Sequence, residues 1–338
     1  MKRTLWIVAA TAAVLLLMTG VYRSTRPTSA FLSEEAAREQ LEDLAARFSA
    51  AIENDRDVEP IRLGVESIVA QRPEMREGRT LLGQVYVRQG RNAEAYGEFA
   101  AALTLEPGDA ELQNLAGSAA LLTGDLAKAE AHHLLAVRAA PGEARLLLPL
   151  ADVYLKAERW DDARNVLLRA LELELTLHEA SALLSDVYAG RGQEGDASLA
   201  IQQMEKALAQ LPGGTETLTL RATYARKLAN RYAAAGEPME AVAVLNALPT
   251  GLRFSDAILA QVAELFDANG QAALAGLQYE LALDVRPTEA SVAAAAARWY
   301  ARGGDAAAAR AMLDRLERLS PRHPALAEVR GLLDHDAD

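Results

Sequence analysis

The chain has 338 residues, 51% of them hydrophobic, with 35 basic against 47 acidic side chains and a formal charge of −12. That length supplies about two ordinary domains or one repeat array, and the acidic balance argues against nucleic acid, whose phosphates need Lys and Arg to neutralise them. The absence of cysteine excludes disulfides, thiolate nucleophiles, cysteine zinc sites, iron–sulfur clusters and a lipoprotein signal.

The first predicted element is an uncharged run from Thr4 to Tyr22, preceded by Lys2 and Arg3 and followed by Arg23 and Arg26. As a helix it is about 28 Å long, close to the hydrocarbon thickness of a bilayer. Trp6 and Tyr22 stand near its ends, where amphipathic aromatics favour the headgroup region. Residues 1–22 are therefore expected to form a transmembrane anchor, with 23–32 as the linker out of the membrane. A signal peptide cut after Ala30 is the alternative, opposed by the arginines between the apolar run and the cut. Basic residues ahead of a single anchor favour a body outside the cytoplasm, although the charges on the two sides nearly tie. The expected location is the bacterial inner membrane, single-pass, with the body in the periplasm.

Residues 33–75 read as a degenerate helix pair. Ser33 is placed to cap the first helix, with Glu34 and Glu35 in its first turn, and the second helix ends at Pro73. From Arg76 onward a period takes over. Gly83, Gly90, Ala95, Ala102 and Pro107 recur 34 residues on as Gly117, Gly124, Ala129, Ala136 and Pro141. One further step gives Ala151, Ala163 and Ala170, with Tyr154 matching Tyr86. Seven units follow from this recurrence: 76–109, 110–143, 144–177, 178–214, about 215–255, 256–289 and 290–323. The fourth is lengthened around "GRGQEGDAS" and the fifth around "GGTETLT". Residues 324–338 read as a capping helix with an acidic tail.

This pattern resembles the tetratricopeptide repeat (TPR) family, whose units carry a small residue at position 8, an aromatic at 11, Gly near 15, Ala at 20 and 27 and Pro at 32. The resemblance covers roughly three quarters of the chain. It implies an all-α, right-handed superhelical solenoid of helix pairs A and B, standing here behind the N-terminal transmembrane helix. Small residues let the two helices approach, Gly permits the turn between them, and Pro ends helix B. Pro149 falls inside a predicted helix A and is expected to bend it.

Chemistry-bearing motifs are weak. "GRGQEG" at 190–195 matches G-x-G-x-x-G, but it follows a repeat helix where a dinucleotide site needs a strand, so a lengthened turn is the better account. His132 and His133 point about 100° apart on a helix and do not chelate one ion together; His133 stands at a position normally bulky and buried. His178, His323 and His335 are isolated, and no H-E-x-x-H or G-x-S-x-G occurs. Trp160, at the start of a helix B, is read as a packing residue, with a role in binding as the alternative. No cofactor, metal, catalytic residue or small-molecule substrate is expected.

The resemblance implies that partners bind a concave face lined by helix A positions 2, 5, 9 and 12. In this sequence those include Glu77, Thr80, Gln84, Asn114, Arg145, Asp152, Asp186, Arg226, Asn230, Glu264 and Arg298. Arg226 and Asn230 are four apart and share a helix face. They resemble the first pair of the carboxylate clamp of chaperone-binding members, although Ala257, Ala260 and Gln261 depart from it in the next repeat. The expected function is a membrane-anchored scaffold or adaptor that binds proteins or peptides and helps assemble a secretion, polysaccharide or cytochrome-maturation complex. The alternatives are a cytoplasm-facing anchored regulator of envelope lipid or polysaccharide synthesis and, from another class, an enzyme framed by the solenoid.

Overall fold

The computed structural model describes residues 32–335. The expected anchor 1–22, all but the last residue of the linker and the final residues 336–338 lie outside the described residues. Among the described residues every regular element is helical, and no helix is long and apolar enough to cross a membrane. The chain divides into two compact units at residues 139 and 140.

The first unit contains α1 (Glu34–Glu53), α2 (Glu59–Gln71), α3 (Arg76–Arg88), α4 (Asn92–Leu105), α5 (Ala110–Leu122) and α6 (Leu126–Ala139). Ser33 caps α1 through its side chain, accepting from Ala36 N at 3.2 Å, and Asp109 caps α5 in the same way. Each helix packs on its sequence neighbour, with α3 and α5 as A helices and α4 and α6 as B helices. The contacts between them explain the period. Ala95, Ala102, Ala129 and Ala136 are fully buried. A Cβ on Gly83 would lie 2.5 Å from the Phe99 ring, and one on Gly117 would lie 2.7 Å from the ring of His133. The small residue of helix A and the bulky residue of helix B are thus one contact, and His133, fully buried, takes the aromatic's place in the second repeat.

The second unit begins with a 3₁₀ turn (Ala144–Leu146), followed by α7 (Leu147–Lys156), α8 (Trp160–Leu173), α9 (His178–Arg191) and α10 (Asp196–Gln210). A second 3₁₀ turn (Thr215–Thr217) leads into α11 (Leu218–Ala234), α12 (Pro238–Asn246) and the short α13 (Thr250–Arg253). The rest is α14 (Asp256–Ala268), α15 (Ala272–Val285), α16 (Ala290–Arg302), α17 (Ala306–Leu319) and α18 (Ala325–His335). Pro149 does not bend a continuous helix. The helix expected there is split, and Pro149 falls in the first turn of α7, where the amide N–H it lacks needs no intrahelical partner.

Except for the lengthened fourth, the A-to-B turns share one geometry. Arg91 N donates to Tyr86 O at 2.9 Å and Gly90 N to Val87 O at 3.0 Å, the pair of bonds of a Schellman cap. Gly90 and Gly124 take the left-handed conformation this cap requires, at φ 72° and 83°; the third repeat puts Glu158 there, at φ 56°. Arg91 and Arg159, the residues following, lie 4.3 Å over the rings of Tyr86 and Tyr154. The lengthened fourth turn runs between Gly192 and Gly195. Arg191 forks onto the buried Asp196 carboxylate at 2.9 and 2.7 Å, and Gln193 N donates to the same group at 2.9 Å. The "GRGQEG" stretch is therefore a turn locked by its own ion pair.

Candidate partner-binding face

In the first unit the A-helix face is charged around Arg76, which pairs with Asp109 at 2.6 Å and Glu106 at 2.8 Å, and apolar around a second, open cleft. Glu77, Thr80 and Gln84 project from α3 into a cleft of about 240 Å³, closed on its far side by Asp109 and Leu112. Gln84 and Leu115 also line a second cleft, of about 500 Å³, so the two are neighbours. The second cleft is walled by Ile52, Val87 and Leu122, which are 48, 36 and 56% exposed. Asn114 is half-buried on α5 and lines neither cleft. Large aliphatic side chains left in water at the end of three successive A helices are the feature the polar groove list passes over. Their spacing of 35 residues is the signal that could have found them.

In the second unit most of the predicted groove residues are engaged by other side chains of that unit. Arg145 donates to Glu179 at 3.0 Å. Burial pushes the Glu179 carboxyl up, and a backbone hydrogen bond and Arg145 more than offset this, holding it below its ordinary value. Asp152 pairs with Lys156 at 3.0 Å. The Asp186 carboxylate receives both Lys227 and Arg231, each at 2.7 Å. Arg226 and Asn230 do share a face, and Gln261 of α14 stands between them. It accepts from Arg226 Nε at 3.2 Å and donates to Asn230 Oδ1 at 2.6 Å and to Arg226 O at 3.3 Å. Glu264 and Arg298 line a cleft of about 380 Å³, and Arg298 Nε donates to Glu328 at 2.8 Å. Apart from Asp152–Lys156, which lies within α7, these bonds cross 30 to 45 residues of sequence from one repeat to the next.

Histidines and aromatics take packing positions. His132 bridges Gln113 Oε1 at 2.7 Å and the Tyr96 hydroxyl at 3.2 Å, and burial pushes its pKa down. Trp160 packs its ring where a Cβ on Gly190 would stand, 2.5 Å from it. Among the described residues no group of His, Asp and Glu side chains could hold a metal ion.

Helix hairpins repeating at 34 residues, with a small-to-bulky contact inside each and a glycine turn between, define an all-helical repeat protein. Residues 80–144 and 148–215 match the model of the tetratricopeptide repeat, so this part of the chain carries repeats of that kind. A tetratricopeptide repeat protein from Parabacteroides merdae ATCC 43184 is 15% identical, with a TM-score of 0.52; the match covers 73% of this chain and 93% of that one. The C-terminal part of a TPR repeat-containing protein from Cytophaga hutchinsonii is 16% identical, with a TM-score of 0.51, covering 73% and 97%. Both are likenesses of fold. A search of curated proteins finds no match to the sequence.

Proposed function

We propose that this protein is a single-pass scaffold of the bacterial inner membrane, held by residues 1–22, whose repeats stand in the periplasm and gather partner proteins during assembly of an envelope complex. The observation that carries the binding part is the apolar A-helix face of the first unit, where Ile52, Val87 and Leu122 flank a cleft of about 500 Å³. An apolar stripe of a partner helix gains there by leaving water, while Gln84 and Ser118 offer polar atoms to orient it. The anchoring part rests on the uncharged run Thr4–Tyr22 and its flanking arginines.

The test is crosslinked capture of the full chain from membranes, with partners identified by mass. Val87→Asp with Leu122→Asp should remove the partners that wild type captures, and Lys206→Ala should not. Equal capture by all three proteins would overturn the groove reading. The absence of cysteine gives a clean test of orientation. A single Cys at position 108 should react with an impermeant maleimide added from the periplasmic side, and labelling only after the membrane is breached places the repeats in the cytoplasm. Intact mass then decides the anchor, since a mature chain beginning at Phe31 contradicts it.

A further inference from the structure

Helix α15 differs from the other B helices. It exposes Leu274, Leu277, Leu281 and Val285, at 38, 55, 45 and 47%. Spacings of three and four residues put them on one stripe. At the same places α4 carries Glu94, Gly97, Ala101 and Leu105, and α17 carries Ala308, Ala311, Arg315 and Leu319. Where those two helices carry one large aliphatic residue on this stripe, α15 carries four.

Leu277 also belongs to a cleft of about 450 Å³ formed with Asp267, Glu280, Trp299, Tyr300 and Asp305. Gly276 keeps it open, because a Cβ there would stand 2.8 Å from the Tyr300 hydroxyl. The two aromatic rings meet edge-on with centroids 4.9 Å apart. Asp267 fixes the indole by accepting from Trp299 Nε1 at 2.8 Å, and Asp305 uses one oxygen to cap α17. Glu280 is exposed and makes no hydrogen bond or ion pair among the described residues. The cleft thus has aromatic walls, three carboxylates and no basic lining residue. Burial, followed by the charges of Glu280 and Asp305, pushes the Tyr300 hydroxyl pKa up, as a negative potential requires.

The nearby arginines are engaged elsewhere. Arg286 bonds Phe254 O and Glu289, and Arg315 bonds the carbonyls of Leu283 and Pro287. Arg298 and Arg302 pair with Glu328. A second copy of α15 would set the acidic edge of Glu280 and Asp284 against itself, and like charges brought together oppose that pairing. A segment that matches both stripe and cleft is apolar along one line and cationic beside it.

We infer that α15 and this cleft dock an amphipathic basic helix of a partner protein, its apolar residues lying on Leu274–Val285 and one Lys or Arg side chain held by Glu280 against the Trp299 and Tyr300 rings. Such a cation over an aromatic face is a recurring recognition mode. This surface is built on α15 with Trp299 and Tyr300 of α16, and shares no residue with the first-unit face proposed above.

The probe is a fluorescein-labelled 15-residue peptide with Leu at spacings of three and four and Lys beside them. Its binding to the full chain in zwitterionic detergent is read by anisotropy against a detergent blank. The expected result is saturable binding, weakened at least tenfold by Leu277→Ser with Leu281→Ser and several-fold by Glu280→Gln. Glu42→Gln, an equal charge change on α1, should leave binding unchanged. A peptide with Glu in place of Lys should not bind. Equal binding of both peptides, or equal losses for Glu42→Gln and Glu280→Gln, would overturn the inference. So would a wild-type dimer dispersed by the double serine variant and indifferent to the peptide.

Discussion

The A-helix faces of the two units are built on the same packing and finished in opposite ways. In the first, Ile52, Val87 and Leu122 stand in water around an open cleft. In the second, Asp186 holds Lys227 and Arg231, and Gln261 ties Arg226 to Asn230. Position in the repeat decides which residues face the next helix pair, and leaves open whether those residues meet a partner or one another. A polar residue at a groove position is therefore weak evidence for a ligand when a complementary group stands one repeat away.

The sharpest way to break this comparison is to ask whether the cores are in fact alike. Phe99 and Leu167 occupy the same repeat position in the two units and are both fully buried. Phe99→Ala should cost about 3–5 kcal/mol and Leu167→Ala about 2–5 kcal/mol, read by denaturant unfolding. A small loss at either site would show that the shared period does not mean a shared core. Ala95→Leu should cost about 1–3 kcal/mol by overpacking against helix A, and unchanged melting would displace the assigned register. On the surface, Asp186→Ala leaves Lys227 and Arg231 facing each other and should cost about 1 kcal/mol. Val87→Ser should leave stability within about 0.5 kcal/mol, while weakening partner capture about tenfold, equivalent to about 1.4 kcal/mol. The reverse outcome would interchange the roles of the two faces.

Two smaller effects sharpen the account of the turns. Glu158 adopts the left-handed conformation that Gly90 and Gly124 adopt in the preceding repeats. Glu158→Gly should therefore raise stability by about 0.5–1 kcal/mol, the relief of a Cβ in that region exceeding the added entropy of glycine. A lower melting temperature would show that the Glu158 side chain is needed. In the fourth turn, the hydrogen bonds from Arg191 hold the Asp196 carboxyl below its ordinary value, which is about 3.9. A depressed folded pKa means stability that is present above about pH 4 and lost as pH falls below it. Asp196→Asn should flatten that acid limb of the stability curve, and an unaltered slope would remove the ion pair from the account of this turn.

What the sequence disclosed follows from this division. Gly83 with Phe99, Gly117 with His133 and the alanines at 95, 129 and 163 were legible because their contacts lie within one hairpin, at fixed offsets. Pro149 was misread because position alone does not say where a helix will start afresh as a 3₁₀ turn. The pairings of Asp186 and Gln261 were not legible. They cross 31 to 45 residues, and the lengthened fourth and fifth units shift the register on which such a match would be sought. The aliphatics at 52, 87 and 122 were legible in principle, since they recur, but a search confined to polar groove positions passes over them.

Because the helices within each unit pack on neighbours one or two places away in sequence, no part of either core waits for a distant segment to arrive. Contacts this local close small loops and favour fast folding, which can nucleate at any repeat and spread outward. A chain of this design can fold hairpin by hairpin as it leaves the ribosome, N-terminus first. Each completed pair gives the following one a surface to fold against.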